Sequence, residues 1–141
     1  MERLRRPAAR LAALAFVLSL VSVGCTEASA AAPIVIRIHY SRFIPEAVQV
    51  PYGEPVLFEI HNDDPIDHEW IVGDAALHAR HRTGTEPSHG DRPTEQSIPA
   101  LGMVRTTVTF EAPGDLQYIC HLPGHEAYGM VGLLTVAAAS S

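Results

Sequence analysis

From residue 33 onward, apolar and polar side chains alternate in short runs, and each run stops at a cluster of Pro, Gly, Asn or Asp. A period of two puts successive side chains on opposite faces of an extended chain, so each run reads as a β-strand. Residues 34–40 (IVIRIHY), 47–50 (AVQV), 55–60 (PVLFEI), 67–73 (DHEWIVG), 103–110 (MVRTTVTF), 116–120 (LQYIC) and 131–136 (VGLLTV) are the strand candidates. Between them stand PYGE at 51–54, NDDP at 62–65 and APG at 112–114, all turn chemistry. Eleven Pro and ten Gly are too many for a helix bundle. Seven or so short strands spread over roughly 110 residues predict one all-β domain, a β-sandwich. One stretch breaks the rhythm: residues 74–99 have few large apolar side chains and read as a long loop or insertion, with a helical turn or two near 75–82. The tail at 137–141 is expected to fray.

The first 30 residues follow a different plan. Arg3, Arg5, Arg6 and Arg10 flank or precede the apolar run 11–23 (LAALAFVLSLVSV). That run falls short of the ~20 apolar residues that span a bilayer, and it reads as a secretory signal peptide. Two processing sites compete. Ala28-Ser29-Ala30 fits the small-residue rule and would leave Ala31 first, whereas Val23-Gly24-Cys25 resembles the end of a lipobox, with Cys25 lipidated and Ser22 where Leu is usual. Arg5-Arg6 matches a twin-arginine signal poorly. The expected destination is the periplasm or the cell surface, with residues 31–141 as the mature domain.

Charge and cysteine usage narrow the chemistry. The basic residues are ten Arg and no Lys, against 16 Asp and Glu, for a formal net charge of −6. Loss of residues 1–30 removes four Arg and two Glu and takes the charge to −8. Such an acidic domain is a poor fit for nucleic acid. Either processing route takes Cys25 away from the fold, so the mature domain carries a lone thiol, Cys120. A lone thiol in an oxidising compartment is open to damage unless something occupies it, which points to a metal.

The segment YICHLPGHEAYGM at 118–130 carries that chemistry. It sets Cys120, His125 and Met130 at the spacing C-x4-H-x4-M, with the Cys at a strand end and the others on the loop that follows. Thiolate and thioether are soft ligands and imidazole is borderline, a set that selects copper among the metals available outside the cytoplasm. A second imidazole then has to come from elsewhere, and the best candidate is His68, directly after the Asp-rich turn. Two His and one Cys in a plane with a weak axial Met is the geometry of a blue-copper site.

At these residues the chain resembles the cupredoxins, the plastocyanin and azurin family of small blue copper proteins. The stretch from Phe43 through Pro45, Val50, Gly53, Val56, Phe58 and Asn62 to His68 is similar to the family's first half, and CHLPGHEAYGMVGLLTV at 120–136 to its second. The loop spacing is similar to that of rusticyanin and sulfocyanin, and the wording to exported cupredoxin-like proteins linked to copper tolerance. The resemblance implies a Greek-key sandwich of about seven to eight strands holding one type 1 copper ion through His68, Cys120, His125 and Met130. Two departures stand out. Glu69 occupies the place where azurin-like proteins have an Asn that braces the copper loop, and the smallest members lack the insertion at 74–99.

The remaining His have plainer readings. His78, His81 and His89, at H-x2-H-x7-H, are expected to be solvated loop residues, with a weak surface site for copper or zinc as the alternative. His121 is expected to face outward or to be hydrogen-bonded, and His39 and His61 to pack or bond locally. Trp70 is expected in the core. The leading functional expectation is one-electron transfer, with His125 as the more exposed imidazole and the exit for the electron. The rival is copper handling, sequestration or delivery for copper tolerance. An enzyme is not expected, because four protein ligands leave the metal no open position. The expected partner is a redox protein or a copper-handling protein, the chain is expected to be a monomer, and membrane contact is expected only through lipid on Cys25.

Overall fold

The computed structural model describes residues 32–84, 89 and 91–138. The processing sites and Cys25 lie outside them. Among these residues nine strands and one helix run in the order β1 (Ile34–Ile38), β2 (Phe43–Ile44), β3 (Ala47–Pro51), β4 (Pro55–Asn62), β5 (His68–Gly73), α1 (Ala75–Thr83), β6 (Glu95–Ile98), β7 (Met103–Thr109), β8 (Gly114–Ile119) and β9 (Val131–Ala137). They form two sheets, one ordered β2-β1-β4-β7 and the other β3-β9-β8-β5-β6. This is the all-β sandwich the alternation predicts. Each sheet contains one parallel pair, β1 with β4 and β3 with β9, and its other pairs are antiparallel.

The period of two does its work most clearly in β4. Val56, Phe58, Ile60 and Asn62 are buried while the residues between them are not. Their inward faces meet Ile36, Ile38, Phe43, Trp70, Tyr118, Leu134 and Val136 in one core, which also takes in Cys120 and Met130. At Gly132 on β9 the sheet needs a bare backbone, because a Cβ there would overlap the Tyr118 ring. Tyr118 in turn donates its hydroxyl to the Pro45 carbonyl at 2.7 Å and ties the two sheets together.

Residues 74–99 hold the short helix expected near 75–82, as α1, and depart from the expected loop at β6. Asp74 caps α1, its side chain accepting the Leu77 N–H at 2.8 Å. The stretch then ends in β6, an edge strand paired with β5 from His68↔Ile98 to Ile71↔Glu95. Its four residues, EQSI, include only one apolar side chain and gave no strand signal alone; pairing with β5 supplies it. β5 itself is buried on both faces over five residues, which is why its alternation is weak. Among the described residues no helix is long and apolar enough to cross a membrane.

Candidate metal centre

The turn after β4 sets up the first donor. Asn62 is buried, its Nδ2 donating to the carbonyls of Ile66 at 2.7 Å and Pro99 at 3.0 Å, while its Oδ1 accepts the Asp64 N–H at 3.0 Å. Asp64 is thereby aimed inward. Its carboxylate accepts the N–H groups of Tyr40 at 2.8 Å and Ser41 at 2.7 Å, both residues sitting at positive φ, and it faces His68 Nε2 at 3.0 Å. Burial works against that charge, but the two backbone donors and His68 outweigh it and hold the carboxyl below the usual range. Burial likewise holds His68 below the ordinary imidazole range. A neutral His68 therefore gives its Nε2–H to Asp64 and keeps the Nδ1 lone pair for a metal.

Nδ1 of His68 lies 3.1 Å from Nδ1 of His125, which lies 3.3 Å from Sγ of Cys120. One donor atom from each of the three falls within 4.8 Å of the other two. Cys120 is fully buried, and its sulfur accepts the backbone N–H of Glu69 at 3.3 Å. Burial pushes its thiol up to about 11, so a metal arriving at neutral pH displaces the thiol proton. The loop closes on itself: His125 N bonds Leu122 O at 3.0 Å, Met130 N bonds His125 O at 3.1 Å, and Cys120 N bonds Met130 O at 3.3 Å. Gly129, at φ 87°, makes the last turn possible. Arg42 anchors it from outside, Nη1 donating to the Gly129 carbonyl at 3.3 Å. Met130 is fully buried beneath the loop, and His125 is only half-buried, the more exposed of the two imidazoles. Two ring nitrogens, a thiol sulfur and a thioether at one end of a rigid sandwich form a donor set that fits copper.

Asp64 is the functional residue that reading the sequence missed. It registers there only as turn chemistry, although a carboxylate four residues before a candidate ligand was the available signal. Glu69 also behaves differently from the Asn it replaces. Its backbone serves Cys120, while its carboxylate turns away to accept His89 Nε2 at 3.0 Å. Bracing of the loop falls instead to α1, where Arg82 makes a two-pronged bond to Glu126 with contacts as short as 2.6 Å.

The expectation of solvated His on residues 74–99 is corrected. His78 is fully buried, its Nε2–H donating to the Gln117 carbonyl at 3.2 Å and its Nδ1 facing His121 Nε2 at 2.9 Å. His121 is therefore hydrogen-bonded, and burial depresses it to about 4. His81 and His89 are packed with Glu95, their rings 5.6 Å apart. Folding of α1 and β6 onto β5 and the ligand loop removes these imidazoles from solvent. His61 bonds locally to Glu59 at 3.4 Å, and Trp70 lies in the core.

With the geometry described, similarity to known proteins becomes informative. Residues 34–137 match the family described as copper binding proteins, plastocyanin/azurin family. The copper-resistant cuproprotein CopI of Pseudomonas aeruginosa is 31% identical over 126 residues, covering 67% of this chain and 70% of that protein. CopI of Rubrivivax gelatinosus is 32% identical over 99 residues, and the match takes in 67% of this chain and 59% of that protein, less than two thirds of its length. Among solved structures, dithionite-reduced auracyanin from Roseiflexus castenholzii superimposes with a TM-score of 0.62 at 23% identity, over 77% of this chain and 99% of that one. Auracyanin A of Chloroflexus aurantiacus, described as a blue copper protein, gives 0.60 at 23% identity, over 75% and 98%. At that identity the likeness speaks for the fold alone. The strand order, the convergent sulfur and imidazole donors and the family match agree, and the chain belongs to the cupredoxins, the copper-binding plastocyanin/azurin family.

Proposed function

We propose that His68, Cys120, His125 and Met130 hold one type 1 copper ion and that the chain, exported by its leader, serves copper tolerance. The convergence of one donor atom each from His68, Cys120 and His125 within 4.8 Å carries the ligand assignment. The role is supported by the two relatives named as copper-resistant cuproproteins. Copper bound there supplies a one-electron couple between its cuprous and cupric states. The chain's own residues do the rest. Asp64 holds His68 in one tautomer, the Glu69 N–H stabilises the sulfur anion, and loop closure sets His125 before the ion arrives. Four protein donors leave no open position for a substrate, so no turnover is assigned to the chain alone.

One-electron transfer to a partner protein is the second reading. The half-buried His125 supports it, together with exposed Tyr40, Leu101 and Tyr128 on the loops that pack against Asp64 or follow His125. The two roles separate in cells. Loss of the chain is expected to sensitise the organism to added copper, with wild type but not Cys120→Ser restoring growth; a growth defect at low copper that tracks respiration would favour the carrier role instead. In vitro, cupric ion added to the purified protein is expected to give a strong thiolate-to-copper absorption that Cys120→Ser abolishes. A wild-type protein that stays colourless would overturn the ligand assignment.

A further inference from the structure

His81 on α1, His89, and Glu95 at the start of β6 converge so that one donor atom from each lies within 4.8 Å of the other two. Their side chains are only 7%, 3% and 6% exposed. The atoms that face one another are the unusual part. His81 Nδ1 lies 3.0 Å from the Leu77 carbonyl, one turn back on α1. A carbonyl only accepts, so Nδ1 carries the proton and Nε2 is left with its lone pair. His89 Nε2 lies 3.0 Å from a carboxylate oxygen of Glu69, which leaves Nδ1 bare by the same argument. Among the described residues neither of these buried nitrogens, His81 Nε2 and His89 Nδ1, has a hydrogen-bond partner. They lie 3.5 Å and 3.4 Å from the same atom, Oε2 of Glu95.

With both rings neutral, three lone pairs aim at one small volume, an arrangement that a proton or a metal ion relieves, and a buried polar atom left without a partner is costly. A tetrahedral ion with bonds of about 2.1 Å to nitrogen and oxygen spaces its donors by roughly 3.4 Å. The two distances to Glu95 match that spacing. We propose that His81, His89 and Glu95 form a second metal site for a borderline divalent cation, cupric or zinc, held by two imidazole nitrogens and a carboxylate.

The surroundings fit a metal site. The Leu77 carbonyl and the Glu69 carboxylate hold the two rings from behind, as outer contacts do for metal-bound His. A cavity of about 220 Å³ lined by Arg80, His81, Arg92 and Glu95 leaves room for water as a fourth ligand. A larger cleft of about 760 Å³ touches His81 and His89 as well as His68, giving an ion a path from outside. Arg92 opposes the ion: its Nη1 donates to Glu95 Oε2 at 2.7 Å, and an incoming cation must displace or share that contact. The absence of sulfur favours cupric or zinc over cuprous ion. None of the three ligands belongs to the proposed copper set, so this site stands or falls separately.

The test counts metal in the purified protein titrated with cupric ion alone or zinc alone. A second equivalent is expected beyond the one that gives the visible band, colourless and with nitrogen couplings in the electron paramagnetic resonance spectrum when it is cupric. His81→Ala and Glu95→Gln should each weaken it about tenfold or more while the band stays unchanged. Arg92→Gln should tighten it, an effect no folding defect produces, and this exposed position keeps the test open if a buried variant fails to fold. Zinc binding that survives in Cys120→Ser and is lost on adding His81→Ala reports this site whatever becomes of the copper assignment. A wild-type protein that stops at one equivalent, or a second equivalent indifferent to both His81→Ala and Glu95→Gln, overturns the proposal.

Discussion

The sulfur-bearing centre at His68, Cys120 and His125 and the cluster at His81, His89 and Glu95 both use two imidazoles, but on opposite plans. At the first, two donors come from the loop after β8, which closes on itself through backbone bonds between Cys120, Leu122, His125 and Met130. At the second, the donors come from α1, from His89 between α1 and β6, and from β6, and two of the three are held through side chains, His89 by Glu69 and Glu95 by Arg92. The first is thus preorganised by main chain, and the second by contacts that a point substitution can remove. Glu69 and His121 join them: each directly follows a proposed ligand in the chain and each touches the second cluster, His121 with its ring stacked on His81 at 5.4 Å. The difference teaches that a strand bordering a metal loop can serve two sites at once, with the backbone for one and a side chain for the other.

Three substitutions sharpen that contrast. The largest effect is expected from Asp64→Ala, which frees the Nε2 side of His68. Copper affinity should fall about 10- to 100-fold in competition with a chelator, with the count at the second cluster unchanged. Should affinity hold, His68 is positioned by packing alone. Next comes Glu69→Gln, which weakens the outer contact of His89 but keeps the N–H that reaches the Cys120 sulfur. Zinc binding at the second cluster should drop roughly tenfold by calorimetry, while the visible band keeps its position. A displaced band would mean that the carboxylate, not only the backbone, acts on the sulfur. The smallest effect is expected from Arg82→Ala, which cuts the exposed bond between α1 and Glu126. Exposed ion pairs contribute little, so the melting midpoint should move by no more than about 2 °C, yet the amides of Tyr128 and Gly129 should exchange faster with solvent.

Much of the sandwich was legible because alternation in β4 and β7 is local and each strand has one face in the core. β6 was not, since EQSI becomes a strand only by pairing with β5. The copper-loop donors were equally legible, because Cys120, His125 and Met130 sit within eleven residues and their chemistry is unusual at that spacing. Asp64 was visible as a turn former, but its partnership with His68 depends on Tyr40 and Ser41, more than twenty residues away, supplying the N–H groups that aim it. The H-x2-H-x7-H pattern grouped His78 with His81 and His89. The fold divides them, sending His78 to Gln117 and His121 and bringing in Glu95 instead.

What the amino-acid order determines alone is therefore the strand rhythm, the lone thiol of residues 31–141 and the soft donors that follow it, all properties of neighbours along the chain. The tertiary structure decides which imidazoles lose their water and which nitrogen of each ring is left bare. Those outcomes depend on carbonyls and carboxylates brought in from other elements, and a hydrogen bond across the fold leaves no mark on local spacing.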